Sequence, residues 1–119
     1  MFKLPDVEAI FEFNGTRKNP VKNGYRPAHL IKENYLTTGI HYYYDNGIVS
    51  PNGKAKGTIT FIDPDAYPHC LWIGKTINIQ EGERVVGVAT ITAIYNHLLV
   101  DENKTGNGSK PLKRPVKTG

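Results

Sequence analysis

Polar and apolar residues alternate with a period of two along most of the chain. From Val7 to Phe13, the side chains of Val7, Ala9, Phe11 and Phe13 fall on one face and those of Glu8, Ile10 and Glu12 on the other, the pattern of a half-buried strand. Thr76, Ile77, Asn78, Ile79 and Gln80 alternate in the same way, and Glu81-Gly82-Glu83 follows as a turn. A second arm rich in Val, Ile and Thr then continues to Ile94, so this stretch predicts two strands joined by a tight acidic turn. In the second arm Val86, Val88, Thr90, Thr92 and Ile94 share one face, and Val85, Gly87, Ala89, Ile91 and Ala93 the other. Neither face is polar, which predicts a strand covered on both sides, and Gly87 predicts a bend or a close backbone approach.

Between these segments, Tyr25 to Tyr35 reads as a strand with a break near residues 32–34. Thr37 to Tyr44 reads as another, with Ile40, Tyr42 and Tyr44 alternating against Gly39, His41 and Tyr43, and Gly57 to Ile62 consists of strand formers. Asp45-Asn46-Gly47 and Pro51-Asn52-Gly53 are turns, because Asn and Gly tolerate positive φ. Asn14 to Gly24, which holds Arg17, Lys18 and Lys22, reads as an exposed loop, and Asp63 to Pro68 as a proline-bounded one. Short strands at close spacing with no helical period predict an all-β barrel or sandwich.

Composition changes this picture in one place. The chain of 119 residues carries a formal charge of +4, but Lys104, Lys110, Lys113, Arg114 and Lys117 put +5 in residues 103–119, and 4 − 5 leaves the rest at −1. The prediction is one domain over residues 1–102 and a flexible basic tail over 103–119, with a body that is not itself basic. A single cysteine, Cys70, suits a reducing compartment. No apolar run approaches a membrane span and Met1 to Ile10 lacks the pattern of a secretion signal, so the expectation is a cytoplasmic protein without membrane contact.

Candidate chemistry is sparse. Gly74-Lys75-Thr76 resembles the end of a phosphate-binding loop, but His69 stands where the earlier glycine belongs and the triplet opens a strand rather than a helix. His29, His41, His69 and His97 lack the short fixed spacing of metal ligands, and no base can be placed beside Cys70. The expectation is therefore no enzyme, no metal, no cofactor and no small-molecule substrate. Tyr42-Tyr43-Tyr44 stands out, since alternation sends at least one tyrosine outward, where it favours an interface.

In order and spacing, Gly24-Tyr25-Arg26-Pro27, Thr38-Gly39, Pro51 with Gly53, Pro64, and Glu81 to Gly87 make the chain resemble the third, C-terminal domain of elongation factor Tu, from about Val7 to Asn96. The resemblance implies a six-stranded antiparallel closed β-barrel without the GTP-hydrolysing domain, and a surface that in the family meets the T stem of aminoacyl-tRNA. By position it carries over Thr38, Glu81 and Gly82 as RNA contacts, while Gln80, Asp63 and Ala28 replace the family's basic or amide residues and weaken that role.

Two functions are thus expected. The first is non-catalytic recognition of an unidentified protein partner through His41, Tyr42, Tyr43 and Tyr44, with the acidic turn; a small bacterial decoy or immunity-type protein is one form. The second is tRNA binding through Thr38, Glu81 and Gly82, with Lys110, Lys113 and Arg114 supplying charge.

Overall fold

Strand β1 occupies Val7–Phe13, the bounds its alternation predicts, and turns Val7, Ala9, Phe11 and Phe13 into the core. The computed structural model describes residues 3–104. After β1 come β2 (Val21–Lys22), β3 (Ala28–Lys32), β4 (Tyr35–Tyr43), β5 (Ile48–Val49), β6 (Lys54–Phe61), β7 (Thr76–Glu81) and β8 (Arg84–Ile94). Six of them close into a barrel in the order β1-β6-β4-β3-β7-β8, every neighbouring pair antiparallel. Closure leaves the six barrel strands, among the described residues, without an edge strand. Inside, Phe11, Ile31, Tyr43, Ile59, Phe61, Ile79, Ala89 and Ile91 form one apolar cluster. Truncating a phenylalanine such as Phe11 to alanine there costs about 3–5 kcal/mol.

The observed elements depart from the sequence expectation at places with local causes. Residues 25–27 run beside β4, where the amides of Gly39 and His41 donate to the carbonyls of Pro27 and Tyr25. Pro27 has no amide to return, so the regular ladder of β3 starts only at Ala28. The break near residues 32–34 is a turn in which Asn34 takes a φ of 60°. Strand β4 begins at Tyr35, two residues before the expected start, and β6 at Lys54, three residues before.

The outer face of β8 is half-exposed, not covered as its apolar character predicts. One extra residue, Val86, sits opposite the junction of Ile79 and Gln80, and this bulge swings Val86 inward out of phase with Val88. Gly87 marks the close approach predicted for it: a Cβ there would lie 2.5 Å from the carbonyl oxygen of Glu12. The β7–β8 turn has a positive φ at Gly82 and none at Glu83, the pattern of the II′ hairpin.

The exposed-loop reading of residues 14–24 changes most. Within it, β2 pairs with β5 as a small antiparallel ribbon and inserts Val21 opposite Val49, both buried, over one end of the barrel. Asn23 fastens this ribbon to the wall, accepting at its side chain from the Tyr43 amide at 2.7 Å and donating from its amide to Gly47. Buried Asp6 ties the other side, accepting from the Phe61 amide at 2.7 Å and from Asn96 Nδ2 at 2.8 Å. No helix among the described residues is long and apolar enough to cross a membrane.

Candidate functional site

Period-two geometry sorts the four aromatic candidates on and after β4 onto opposite sides of the wall. Tyr42 and Tyr44 point outward and are 52% and 42% exposed, whereas His41 and Tyr43 are buried at 0% and 1%. His41 and Tyr43 thus belong to the barrel interior and are removed from any contact surface, a correction to the expectation that placed all four there. The outward pair is held edge to face, with ring centroids 6.3 Å apart.

Glu8 on β1 organises this outer face. Its carboxylate accepts from the Tyr44 hydroxyl at 2.9 Å and from the Thr92 hydroxyl at 2.7 Å, with Lys56 Nζ 3.6 Å away. Thr92 can reach it because β8 carries one extra residue against β1 between Ala93 and Ile91. These bonds, the Thr92 hydroxyl first, hold the Glu8 carboxyl below its ordinary range and so keep it ionised. Burial and the Glu8 carboxylate both raise the Tyr44 phenol, which keeps it protonated and donating. Tyr95, 55% exposed beyond the end of β8, lies close enough to Tyr44 to help raise its phenol. Three exposed tyrosines thus lie on the β4, β1 and β8 side of the barrel, with Tyr44 anchored to Glu8 and Tyr42 packed on its ring. Glu8 and Tyr95 were not predicted, because only pairing across β4, β6, β1 and β8 brings them to the Tyr42-Tyr44 pair.

Behind this wall lies a polar line that spacing along the chain does not reveal. His29 Nε2 and His41 Nε2 are 2.8 Å apart, His29 Nδ1 is 3.2 Å from the carbonyl oxygen of Thr37, and His41 Nδ1 is 2.7 Å from the Tyr43 hydroxyl. A carbonyl only accepts, so His29 carries its proton on Nδ1 and presents a lone pair at Nε2. His41 must then donate from Nε2, and its Nδ1 accepts from Tyr43. Both imidazoles are neutral in this arrangement, and burial pushes His29 down to about 4 and His41 well below the ordinary histidine range. Gly39 makes the meeting possible: a Cβ there would lie 2.9 Å from His29 Cε1 and 2.6 Å from Ile59 Cγ2.

At the β7–β8 turn, Glu81 is engaged rather than free. It accepts from Arg17 Nε and from the Tyr25 hydroxyl, each at 2.6 Å, and from Arg84 at 2.8 Å. The Tyr25 hydroxyl, then the two guanidinium groups, hold its carboxyl below the usual value. Arg17 stacks over the Tyr25 ring at 5.1 Å and donates to the carbonyls of Asn19 and Pro20, so this corner clamps the 14–24 segment to the hairpin. An open groove of about 270 Å³ beside it is lined by Thr16, Arg17, Lys18, Asn19, Glu81 and Arg84. Register places Thr38, Ala28 and Gln80 side by side on β4, β3 and β7, and Gln80 Nε2 donates to the Gly82 carbonyl. Asp63 follows Ile62, whose amide bonds the Thr38 carbonyl, so the positions singled out for RNA contact share one neighbourhood. Lys110, Lys113 and Arg114 lie outside the described residues.

The remaining candidates are engaged in contacts within the fold. Gly74 takes a φ of 95° in the turn before β7, and Lys75 donates to the carbonyls of Ile31 and Cys70 while lying 4.5 Å over the Trp72 ring. Cys70 is buried and donates to the Tyr67 carbonyl. Among the described residues no three His, Cys, Asp or Glu side chains converge in the manner of a metal site. No family model matches the chain.

Proposed function

We propose that this chain is a non-catalytic module that binds another protein through the outer face formed by Tyr42, Tyr44 and Tyr95. The observation that carries this reading is that Tyr42, Tyr44 and Tyr95 are all more than two-fifths exposed, and that the central one, Tyr44, is held by the ionised Glu8 carboxylate and packs its ring against Tyr42. Aromatic area that is ordered before binding loses little side-chain entropy on contact, which is why tyrosine recurs at the energetic centres of interfaces. The acidic turn contributes less than its sequence suggests, because Glu81 is neutralised within the fold and only Glu83 is left projecting. In its narrower form, the module is a small bacterial, cytoplasmic protein that imitates a translation factor's C-terminal barrel and masks that factor's partner.

Capture from a native lysate by the full chain and by a Tyr42→Ala/Tyr44→Ala variant tests this. Both substituted side chains are about half exposed and lie outside the core, so the variant keeps its fold and loses the protein that the intact chain retains. An unchanged set of captured proteins removes the tyrosine face from consideration.

A second reading, tRNA binding, is supported by the groove lined by Arg17, Lys18 and Arg84 at the Glu81 turn. Titration with bulk tRNA at about 50 and about 200 mM salt separates the two, because phosphate contacts weaken steeply over that range. Salt-sensitive binding that survives Tyr42→Ala/Tyr44→Ala supports the RNA reading; no measurable binding at the lower salt ends it.

A further inference from the structure

We infer that the buried His29–His41 pair is an acid-sensitive latch that holds β4, and with it the outer tyrosine face, in register at neutral pH and releases it on acidification. The geometry matches the neutral state of both rings. Each ring nitrogen already has its single partner, in a line running from the Tyr43 hydroxyl through His41 and His29 to the Thr37 carbonyl. An added proton on His29 Nε2 would point an N–H at the N–H of His41 across 2.8 Å. An added proton on His41 Nδ1 would reverse the bond to Tyr43, whose hydroxyl would then accept and turn its own proton into the apolar interior.

No surrounding group compensates such a charge. From β1 the facing ring is Phe11, 4.3 Å from His41, and from β6 it is Phe61, 5.6 Å from His29. Strand β7 pairs Ile79 with His29, and β8 sends Ala89 and Ile91 into the same interior. The titratable groups facing the pair are the phenols of Tyr43 and of Tyr25, whose ring lies 5.5 Å from His41. Glu81 lies beyond Tyr25 and is already matched by Arg17 and Arg84, and Asp6 behind Phe61 is taken up by the Phe61 amide and Asn96. Protonation therefore relaxes only when the rings reach water.

Strand β4 connects that event to the surface, because His41 and Tyr43 point in where Tyr42 and Tyr44 point out. The consequence for binding rests on the tyrosine-face reading, but the latch itself is testable without any partner, so the two can fail separately.

The test is denaturant unfolding of the full chain from pH 7 to pH 5, beside His29→Gln, which retains an amide in the space that Gly39 leaves but does not titrate. Below the ordinary histidine value the unfolded chain binds protons that the folded chain refuses, so stability falls as pH falls. With His29 near 4 when folded, the unfolding constant of the intact chain rises by about 20-fold from this one group. The near-ultraviolet circular dichroism of the tyrosines is lost with it. In His29→Gln this share disappears and only the His41 share remains, so the rise is smaller by about that factor. Glu8 and Glu81 do not account for it, because both titrate below their ordinary values and stay ionised at pH 5. Carbon-13 imidazole spectra of the intact chain provide a second measurement should the variant not fold: the two buried rings keep neutral Nδ1–H and Nε2–H tautomers until the barrel opens. An equal rise in His29→Gln, or imidazoles that protonate near 6.5 while the barrel amides stay unchanged, overturns the inference.

Discussion

Gly39 decides more than any other single residue. On the inward face of β4 it lies between Thr37 and His41, and the volume a side chain would take there is occupied by the His29 ring. Gly39→Ala therefore pushes its methyl against His29 and Ile59 at once, and overpacking of this kind costs about 1–3 kcal/mol. Chemical denaturation should show that loss together with an altered His29–His41 imidazole signal, whereas loss of stability with unchanged imidazole signals would mean that the glycine serves the backbone alone. The residues beside it show how far the sequence could be read. That Tyr42 and Tyr44 share one side and His41 and Tyr43 the other follows from alternation, but which side is the interior does not. The His29–His41 contact was illegible for a stronger reason: twelve positions of chain separate the two, and only the register of β3 on β4 and a missing Cβ bring them together.

At the scale of elements, the strands with clean alternation were the legible ones. β1 and the β7–β8 hairpin stand where their patterns put them, because one buried face and a glycine at positive φ suffice to fix such elements locally. The β2–β5 ribbon, two residues a side, has no period to read, and the 14–24 segment looked like solvent-exposed chain because its three cations hid the role of Arg17. That role spans 64 positions to Glu81. Glu81→Gln keeps the shape of the side chain but removes the charge that Arg17, Arg84 and Tyr25 converge upon. The expected effect is a loss of about 1–2 kcal/mol and faster amide exchange across residues 16–22, read by hydrogen exchange, with the β1–β8 pairing unaffected. Since both salt-bridged partners are partly exposed, the effect shrinks at high salt. Uniform protection in both proteins would show that the ribbon, and not the ion pairs, holds this segment down.

For the molecule as a whole, a closed barrel with an apolar, aromatic interior puts its distinctive chemistry on the outside wall. The acid response divides into two windows. The buried imidazoles withdraw their support as pH falls below about 6.5, and the paired carboxylates Glu8 and Glu81 withdraw theirs only below the ordinary carboxylate range, as their folded values are depressed. The proposed binding face is the exposed set of Tyr42, Tyr44 and Tyr95 on that wall. Its central claim is tested most directly by the affinity of the intact chain, and of Tyr42→Ala/Tyr44→Ala, for the protein captured from lysate at pH 7.5. If the tyrosines are the energetic centre, the double variant binds at least about 30-fold more weakly with its unfolding midpoint little changed; equal affinity for the two proteins contradicts the account.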